Sequence, residues 1–332
     1  MAQVIAIANQ KGGVGKTTTA VNLAAALALA ERRTLLLDAD PQGNATSGVG
    51  IAKETVELSL YDSLVEGQSP IESILPSSTL PFLSVLPATQ DLVGAELQLV
   101  ERTGREAILR KTLESLQGRF DYIIVDCPPS LGLLTLNVLT AANGVLIPIQ
   151  CEYYGLEGIS QLLNTVRLVQ QNFNPNLAIN GVLLTMYDAR LNLCRQVAED
   201  AKEYFGAKVF ITPIPRNVRL AEAPSFGKPI LLYDAQSVGA KSYLAVAEEL
   251  LRRLENSGIS IQSPTRHDGH TIMNGASAVQ QVGLESSNGQ TGSDAQYVGG
   301  HQDSTSEPPP AVSESSHEPD AAESLPEVTT HD

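Results

Sequence analysis

Residues 9–18 hold the densest group of chemically useful residues in this 332-residue chain: two lysines, three glycines and two threonines. They follow an apolar run, residues 4–8, and open a stretch with helical spacing, residues 16–30. Glycines let successive backbone N–H groups turn inward, and a helix N-terminus adds a favourable dipole, so the segment predicts a cradle for phosphate oxygens. Lys16 would reach the terminal phosphates, and the Thr17 hydroxyl would serve Mg²⁺.

The loop departs from the common phosphate-loop pattern at one position. GxxxxGK[ST] would place a glycine at position 10, where this chain has Gln10, and a second lysine, Lys11, follows directly. A glycine-rich turn alone would be weak evidence. A strand, a loop, the Gly-Lys-Thr sequence and a helix in this order favour a nucleotide site much more strongly.

Carboxylates end two further strand-like runs. Asp38 and Asp40 follow one run at a spacing that turns both side chains to the same side, and Asp126 follows another. In a doubly wound sheet the carboxyl ends of the strands form the ligand crevice, so Asp126 is expected to bind Mg²⁺ in the outer sphere. A single Asp after a strand is often only a helix cap, but three carboxylates beside a phosphate loop are poorly explained that way.

The elements that must position these residues alternate along the first 256 residues. Short apolar runs predict strands at Val4–Ala8, Thr34–Leu37, Tyr122–Val125, Val145–Ile149 and Ile179–Leu184. Helical spacing predicts helices at Lys16–Ala30, Gly104–Gln117, Leu131–Ala142, Leu156–Gln171, Leu191–Phe205 and Ser237–Glu255. Strand runs that are apolar on both faces suit a covered parallel sheet. The predicted fold class is therefore α/β, a doubly wound, mostly parallel sheet with helices on both faces.

The charge divides the chain into two parts. The net charge is −15, and residues 257–332 carry eleven acidic residues against one basic residue. That segment is rich in Ser, Gly and Pro and cannot bury enough apolar area to offset its chain entropy. We expect one domain over residues 1–256 and a disordered acidic tail over residues 257–332, either a solvated extension or a segment that binds a partner.

Histidine and cysteine usage limits the possible chemistry. All five histidines lie in the tail, so residues 1–256 cannot supply a Ser-His-Asp triad or a histidine-bound metal. The three cysteines, Cys127, Cys151 and Cys194, are far apart and are expected to be buried thiols in a reducing compartment. With no leader-like N-terminus and no apolar run near the roughly 20 residues of a membrane span, a cytoplasmic protein is expected.

These motifs resemble those of a known family. Lys11-Gly-Gly-Val-Gly-Lys-Thr17, Asp38-x-Asp40-Pro-Gln and Asp126-Cys-Pro-Pro look like the deviant Walker A ATPases, a branch of the P-loop NTPases. Within that group the chain is similar to the ParA/Soj partition ATPases at residues 44–48, 185–190 and 214–225. The resemblance runs from residue 2 to about residue 255.

The resemblance implies an ATP-dependent homodimer that hydrolyses ATP with Mg²⁺. Lys11 would reach the partner's nucleotide, Lys16 would hold the phosphates in its own subunit, and Asp40 would position the attacking water. Thr17 and Asp126 would serve Mg²⁺. The remaining nucleotide contacts that the resemblance implies lie in the loop and in a later segment: Gly12, Gly13, Val14, Gly15, Thr18, Pro215 and Asn217.

It also implies binding of double-stranded DNA without sequence preference, through Arg190 and Arg219, and a ParB-type partner that stimulates hydrolysis. Residues 186–256 hold ten basic and nine acidic residues, so the acidity of the whole chain does not exclude a local phosphate-binding patch. A nucleoid-associated location follows. Two alternatives remain. One is a MinD-like cell-division ATPase, which is disfavoured because residues 325–332 are acidic and polar and are not expected to form a basic membrane-binding helix. The other is a nucleotide-gated DNA scaffold with negligible hydrolysis.

Overall fold

Within the described residues, seven strands form one sheet, and most of the strand residues are buried. The structure is a computed structural model that describes residues 2–152 and 159–256. The strands are β1 (Gln3–Ile7), β2 (Thr34–Asp38), β3 (Leu75–Pro76), β4 (Leu83–Leu86), β5 (Tyr122–Asp126), β6 (Gly144–Gln150) and β7 (Ala178–Thr185).

The order of the strands brings the predicted chemistry to one edge. The sheet runs β3-β4-β2-β5-β1-β6-β7, and every pair is parallel except β3 with β4. β5 lies between β2 and β1, with Asp126 opposite both Asp38 and Ile7. The carboxyl ends of β2 and β5 are therefore level with the end of β1, where the phosphate loop begins.

Helices cover both faces of the sheet. Those of eight residues or more are α1 (Lys16–Leu29), α4 (Leu92–Leu99), α6 (Leu133–Ala141), α7 (Ile159–Asn172), α8 (Asn192–Phe205) and α11 (Val238–Asn256). The shorter ones are α2 (Asn44–Gly48), α3 (Pro70–Ser73), α5 (Ile108–Glu114), α9 (Val218–Glu222) and α10 (Ile230–Tyr233). Single turns of 3₁₀ helix lie at Lys53–Thr55, Arg105–Ala107, Gly206–Lys208 and Ala223–Phe226, and one π-helical turn lies at Asp62–Glu66.

Alternate residues of each strand enter two separate apolar clusters. Val4 and Ala6 of β1 pack into a cluster with α4 to α8, whereas Ile5 and Ile7 pack into a cluster with α1 and α11. On the second face, the Thr19 and Tyr243 hydroxyls lie 3.2 Å apart and link α1 to α11. This two-sided burial, together with the strand order, confirms the predicted doubly wound α/β class.

The predicted elements appear within a few residues of their expected bounds. The helix predicted over residues 104–117 is shorter than expected. It begins with a 3₁₀ turn at Arg105–Ala107, and the α-helix that follows ends at Glu114. The first three residues of the expected helix 156–171 lie outside the described part of the chain. β4 and α4 were not predicted. β4 has only four residues, between Pro81 and Pro87, and reads as a loop, although it is largely buried against β2.

The described residues belong to one compact unit. The predicted acidic tail, residues 257–332, lies outside them, so its predicted disorder stays a prediction. All three cysteines are buried free thiols, as expected. Over residues 2–152 and 159–256, no helix is both long and apolar enough to cross a membrane.

Candidate functional site

The glycine-rich loop joins β1 to α1, and buried groups hold it at both ends. The Asn9 side chain donates to the Pro148 carbonyl at 2.7 Å and accepts the Lys11 amide at 3.0 Å. Further on, the Thr185 hydroxyl donates to the Val14 carbonyl at 2.9 Å. Gly15 has φ of 83°, a left-handed conformation that glycine adopts without strain, and α1 begins at the next residue. The backbone of the loop is thus held at both of its ends.

Space is open beside two glycines of the loop. A Cβ atom built on Gly12 or on Gly13 would meet no atom within 4 Å. α1, a helix of 14 residues, begins directly after the loop, with Thr17 and Thr18 in its first turn. Backbone amides at a helix N-terminus favour anions.

The two loop lysines have different surroundings. Lys16 is only 7% exposed, and its ammonium donates to the Lys11 carbonyl at 3.3 Å. Burial lowers the pKa of Lys16, while nearby Asp126 and Asp40 favour its charged form. The Lys11 ammonium instead lies 3.7 Å from the Glu152 carboxylate, which Arg216 also approaches at 4.0 Å. Lys16 therefore belongs to the interior of the site and Lys11 to its partly exposed rim.

Asp126 is the most unusual carboxylate of the site. It is completely buried, and neither of its oxygens accepts a hydrogen bond within normal geometry from the part of the chain that the structure describes. Burial, and then the charge of Asp38, raise the pKa of Asp126 well above its usual value, whereas Thr17 and Lys16 favour its charged form. A buried carboxylate with free oxygens beside a hydroxyl matches the ligand chemistry of Mg²⁺, so Thr17 and Asp126 fit a hydrated magnesium ion.

The two aspartates after β2 differ in what they contact. Asp38 accepts the amide and the hydroxyl of Thr46, each at 2.8 Å, and the amide of Asp40 at 3.2 Å. Burial raises the pKa of Asp38 to about 6 despite those bonds. The Asp40 carboxylate accepts only the Gln42 amide, at 2.9 Å, from residues 2–152 and 159–256. Asp38 is thus engaged in fixing α2, and Asp40 keeps an oxygen for a ligand or water.

Pro215 and Asn217 lie beside the end of β7. The Ile214 amide donates to the Leu184 carbonyl at 2.8 Å, and Pro215 forms a parallel bridge with Tyr187. Because Thr185 holds the phosphate loop, this segment lies next to it in the fold. The Asn217 side chain accepts the Arg219 amide at 2.8 Å as the cap of α9, which leaves its NH₂ group for a ligand.

Arg190 and Arg219 are both exposed, and each contacts carboxylates of its own subunit. The Arg190 guanidinium forms a two-bond fork with Asp188 at 2.9 and 2.6 Å. Arg219 lies 2.9 Å from Glu222 and 3.6 Å from Asp234. Neither arginine contacts the loop lysines or the buried aspartates, so the structure divides the predicted residues into a phosphate site and a separate surface.

Sequence reasoning missed three residues that shape these sites: Thr46, which holds Asp38, Glu152, which pairs with Lys11, and Asp188, which pairs with Arg190. Asp188 could have been found, because an Asp two residues before an Arg forms such turns readily. Thr46 and Glu152 carried no local signal. Their partners lie 8 and 141 positions away, at Asp38 and Lys11.

Comparisons with known proteins agree with this geometry. The AAA-domain family matches residues 2–179. Over 250 residues the chain is 60% identical to the sporulation initiation inhibitor protein Soj of Bacillus subtilis. The aligned region covers 75% of this chain and 98% of Soj. Over 251 residues the chain is 57% identical to the chromosome partitioning protein ParA of Myxococcus xanthus, covering 76% of this chain and 88% of ParA.

A solved structure is similar over the same region. The Mycobacterium smegmatis protein described as cobyrinic acid a,c-diamide synthase, with bound ADP and magnesium, superposes with a TM-score of 0.69 at 40% identity. The match covers 80% of this chain and all of that protein. Nucleotide and magnesium in that relative agree with the chemistry assigned to the loop and to Asp126.

Proposed function

The chain belongs to the ParA/Soj family of P-loop partition ATPases, and from that membership we propose that it dimerises on ATP, binds DNA nonspecifically and drives chromosome or plasmid segregation with a ParB-type partner. Its cofactors are ATP and Mg²⁺. The observation that carries the proposal is the meeting of Lys16, Asp40 and the unbonded Asp126 at one edge of the sheet. Identities of 57% and 60% to partitioning proteins favour this function over cell-division positioning.

Lys16 holds the β- and γ-phosphates of ATP in its own subunit. Asp126 and Asp40 favour the charged form of its buried ammonium, which also donates to the Lys11 carbonyl of the loop. A bound phosphate would compensate the burial that now lowers the pKa of Lys16. Thr17, and Asp126 through water, would hold Mg²⁺, which would supply positive charge to the phosphate oxygens.

Asp40 positions the water that attacks the γ-phosphate. It is 8% exposed and has a carboxylate oxygen without a hydrogen bond from the described residues, whereas Asp38 accepts three. Because phosphoryl transfer depends mainly on positioning and charge stabilisation, a fixed carboxylate with a free oxygen suits this role.

Lys11 acts across the dimer interface. Its side chain is 31% exposed at the rim of the site. The Lys11 ammonium pairs with the Glu152 carboxylate and does not point into the phosphate loop of its own subunit. An exposed ion pair of this kind is weak and can exchange for a partner's phosphates when two subunits close. A second cation there would compensate the charge that develops during transfer. Pro215 and Asn217, beside the loop, contact the adenine ring.

Arg190 and Arg219 bind the phosphates of double-stranded DNA in the ATP dimer. Both are exposed, Arg190 in the turn between β7 and α8 and Arg219 on α9, within the part of the chain where basic residues slightly exceed acidic ones. Dimerisation doubles the number of such contacts, which makes DNA binding depend on ATP. The protein would then be cytoplasmic and associated with the nucleoid while it carries ATP.

The test is the rate of phosphate release by the full chain alone, with plasmid DNA, and with plasmid DNA plus a purified ParB-type protein. We expect slow basal release and a marked rise only when both are present, because the partner ends the DNA-bound state. Release that neither DNA nor the ParB-type protein changes would contradict the partition function. Release that is absent in all three would contradict the catalytic assignments.

A further inference from the structure

Arg190 is already bound in the way that it would bind a phosphate. Its Nε and Nη2 donate to the two oxygens of Asp188, at 2.9 and 2.6 Å, and Asp188 also accepts the Arg190 amide at 3.0 Å. The pKa of Asp188 is lowered to about 2, chiefly by these bonds, with Arg216 adding to the effect. The arginine side chain is 88% exposed, so solvent or a ligand can reach the pair.

The second arginine is also paired with carboxylates, although without a two-bond fork. Arg219 lies 2.9 Å from Glu222 and 3.6 Å from Asp234, and its side chain is 55% exposed. Glu222 also accepts the Tyr233 hydroxyl at 3.1 Å. Both arginines assigned to DNA are therefore neutralised by carboxylates of their own subunit.

Carboxylate and phosphate present similar pairs of oxygens to a guanidinium fork. A DNA phosphate that approaches the Nε and Nη2 side of Arg190 has to displace Asp188, and a phosphate at the remaining N–H groups meets a charge that Asp188 already compensates. We propose that Asp188 is an intramolecular competitor of DNA that sets both the affinity and the salt dependence of DNA binding, an inference that rests on the proposed DNA-binding function. Glu222 acts in the same way at Arg219.

Competition keeps the affinity of one subunit low. Each paired arginine offers little net charge, so a single subunit gains little from contacting a phosphate. Two subunits joined by ATP contact the duplex together. The gain in overall affinity from two linked sites then outweighs the affinity that competition with the carboxylate removes at each arginine. Because Asp188 keeps the affinity of a single subunit low, each subunit leaves the DNA when the dimer separates.

The decisive variant is Asp188→Asn. Asparagine keeps an oxygen for the Arg190 amide, so the turn is preserved while the charge is removed. Asp200→Asn is the matched control, because Asp200 is exposed on α8 and forms no ion pair within the described residues. The double variant Asp188→Asn with Arg190→Gln tests whether any gain requires the arginine.

The readout is the fluorescence anisotropy of a labelled random-sequence duplex, with ATP or ADP, between about 50 and 200 mM salt. We expect D188N with ATP to bind about three- to tenfold more tightly than D200N. The slope of log affinity against log salt should steepen by about 0.9 for each Arg190 that gains a phosphate contact once Asp188 no longer holds it. Binding in ADP should rise, and the double variant should lose the gain.

The inference and the proposed function can fail separately. If the wild type binds the duplex with ATP but D188N gains no affinity over D200N, or binds more weakly, the competition is wrong and the DNA-binding function stands. If the wild type does not bind with ATP, both are overturned. Thermal melting of D188N at the wild-type temperature would show that any change in affinity is not a loss of fold.

Discussion

Thr46 holds Asp38 with two hydrogen bonds, from its amide and from its hydroxyl, each 2.8 Å long. The same hydroxyl accepts the Ala88 amide at 3.1 Å, so one buried group ties β2, α2 and the segment after β4 together. This contact separates the roles of two neighbouring carboxylates. Asp38 stabilises the structure around the site, and Asp40, two residues later, stays available for chemistry.

Replacing Thr46 by Val should destabilise the protein. Valine has the same shape but leaves the Ala88 amide without a partner and removes one donor from the buried Asp38 charge. We expect a loss of about 2–4 kcal/mol in the free energy of unfolding, measured by urea denaturation. Thr46→Ser keeps the hydroxyl and should lose much less. Equal losses in the two variants would mean that the hydroxyl does not matter.

Replacing Asp40 by Ala should separate binding from hydrolysis. The carboxylate lies in the site without filling the phosphate loop, so ATP binding and dimerisation should persist while phosphate release falls by at least about a hundredfold. Steady-state phosphate release and sedimentation with ATP measure the two properties. Unchanged phosphate release in this variant would refute the water-positioning role.

Replacing each of the two loop lysines by alanine should impair a different step. Lys16→Ala removes the only lysine that is buried in the site within the described residues, so binding of a fluorescent ATP analogue should fall about a hundredfold or more. Lys11→Ala removes the rim lysine, and ATP binding by the monomer should stay within a few-fold of wild type while dimerisation and phosphate release fall. Similar losses of ATP binding in both variants would argue against separate roles.

Arg219→Glu should abolish DNA binding and leave the ATP dimer intact. The substitution places a negative charge beside Glu222 and Asp234, on a surface that is separate from the phosphate loop. A gel-shift assay with ATP measures DNA binding, and sedimentation measures the dimer. A variant that still retards duplex DNA as the wild type does would exclude Arg219 from the DNA surface.

The sequence predicted the parts of the fold that depend on local pattern. β1, β2, β5, β6 and β7 were found because their residues are apolar on both faces, and the loop was found because strand, glycines and lysine occur in order. β4 was missed because four residues between prolines carry too little signal. The functions of the two aspartates after β2 could not be separated, because the difference comes from Thr46 contacts that exist only after folding.

Surface pairing was not predicted either, although the two-residue spacing of Asp188 and Arg190 is a local signal for one of the pairs. Charge counts over residues 186–256 gave a margin of one positive charge and no indication of which arginines are neutralised. The structure supplies that information through Asp188 and Glu222. Local geometry thus decides how the basic patch behaves, and the net charge of −15 does not.

The central claim is that ATP, by closing a dimer at the phosphate loop, switches on DNA binding at Arg190 and Arg219. The most direct test uses the hydrolysis-deficient Asp40→Ala variant. Its retention on immobilised random-sequence duplex DNA is measured in ATP and in ADP, and its molecular mass is measured under both conditions. We predict a dimer that binds the duplex in ATP and a monomer that does not bind in ADP at physiological salt. Equal retention in the two nucleotides, or tight binding by the monomer, would contradict it.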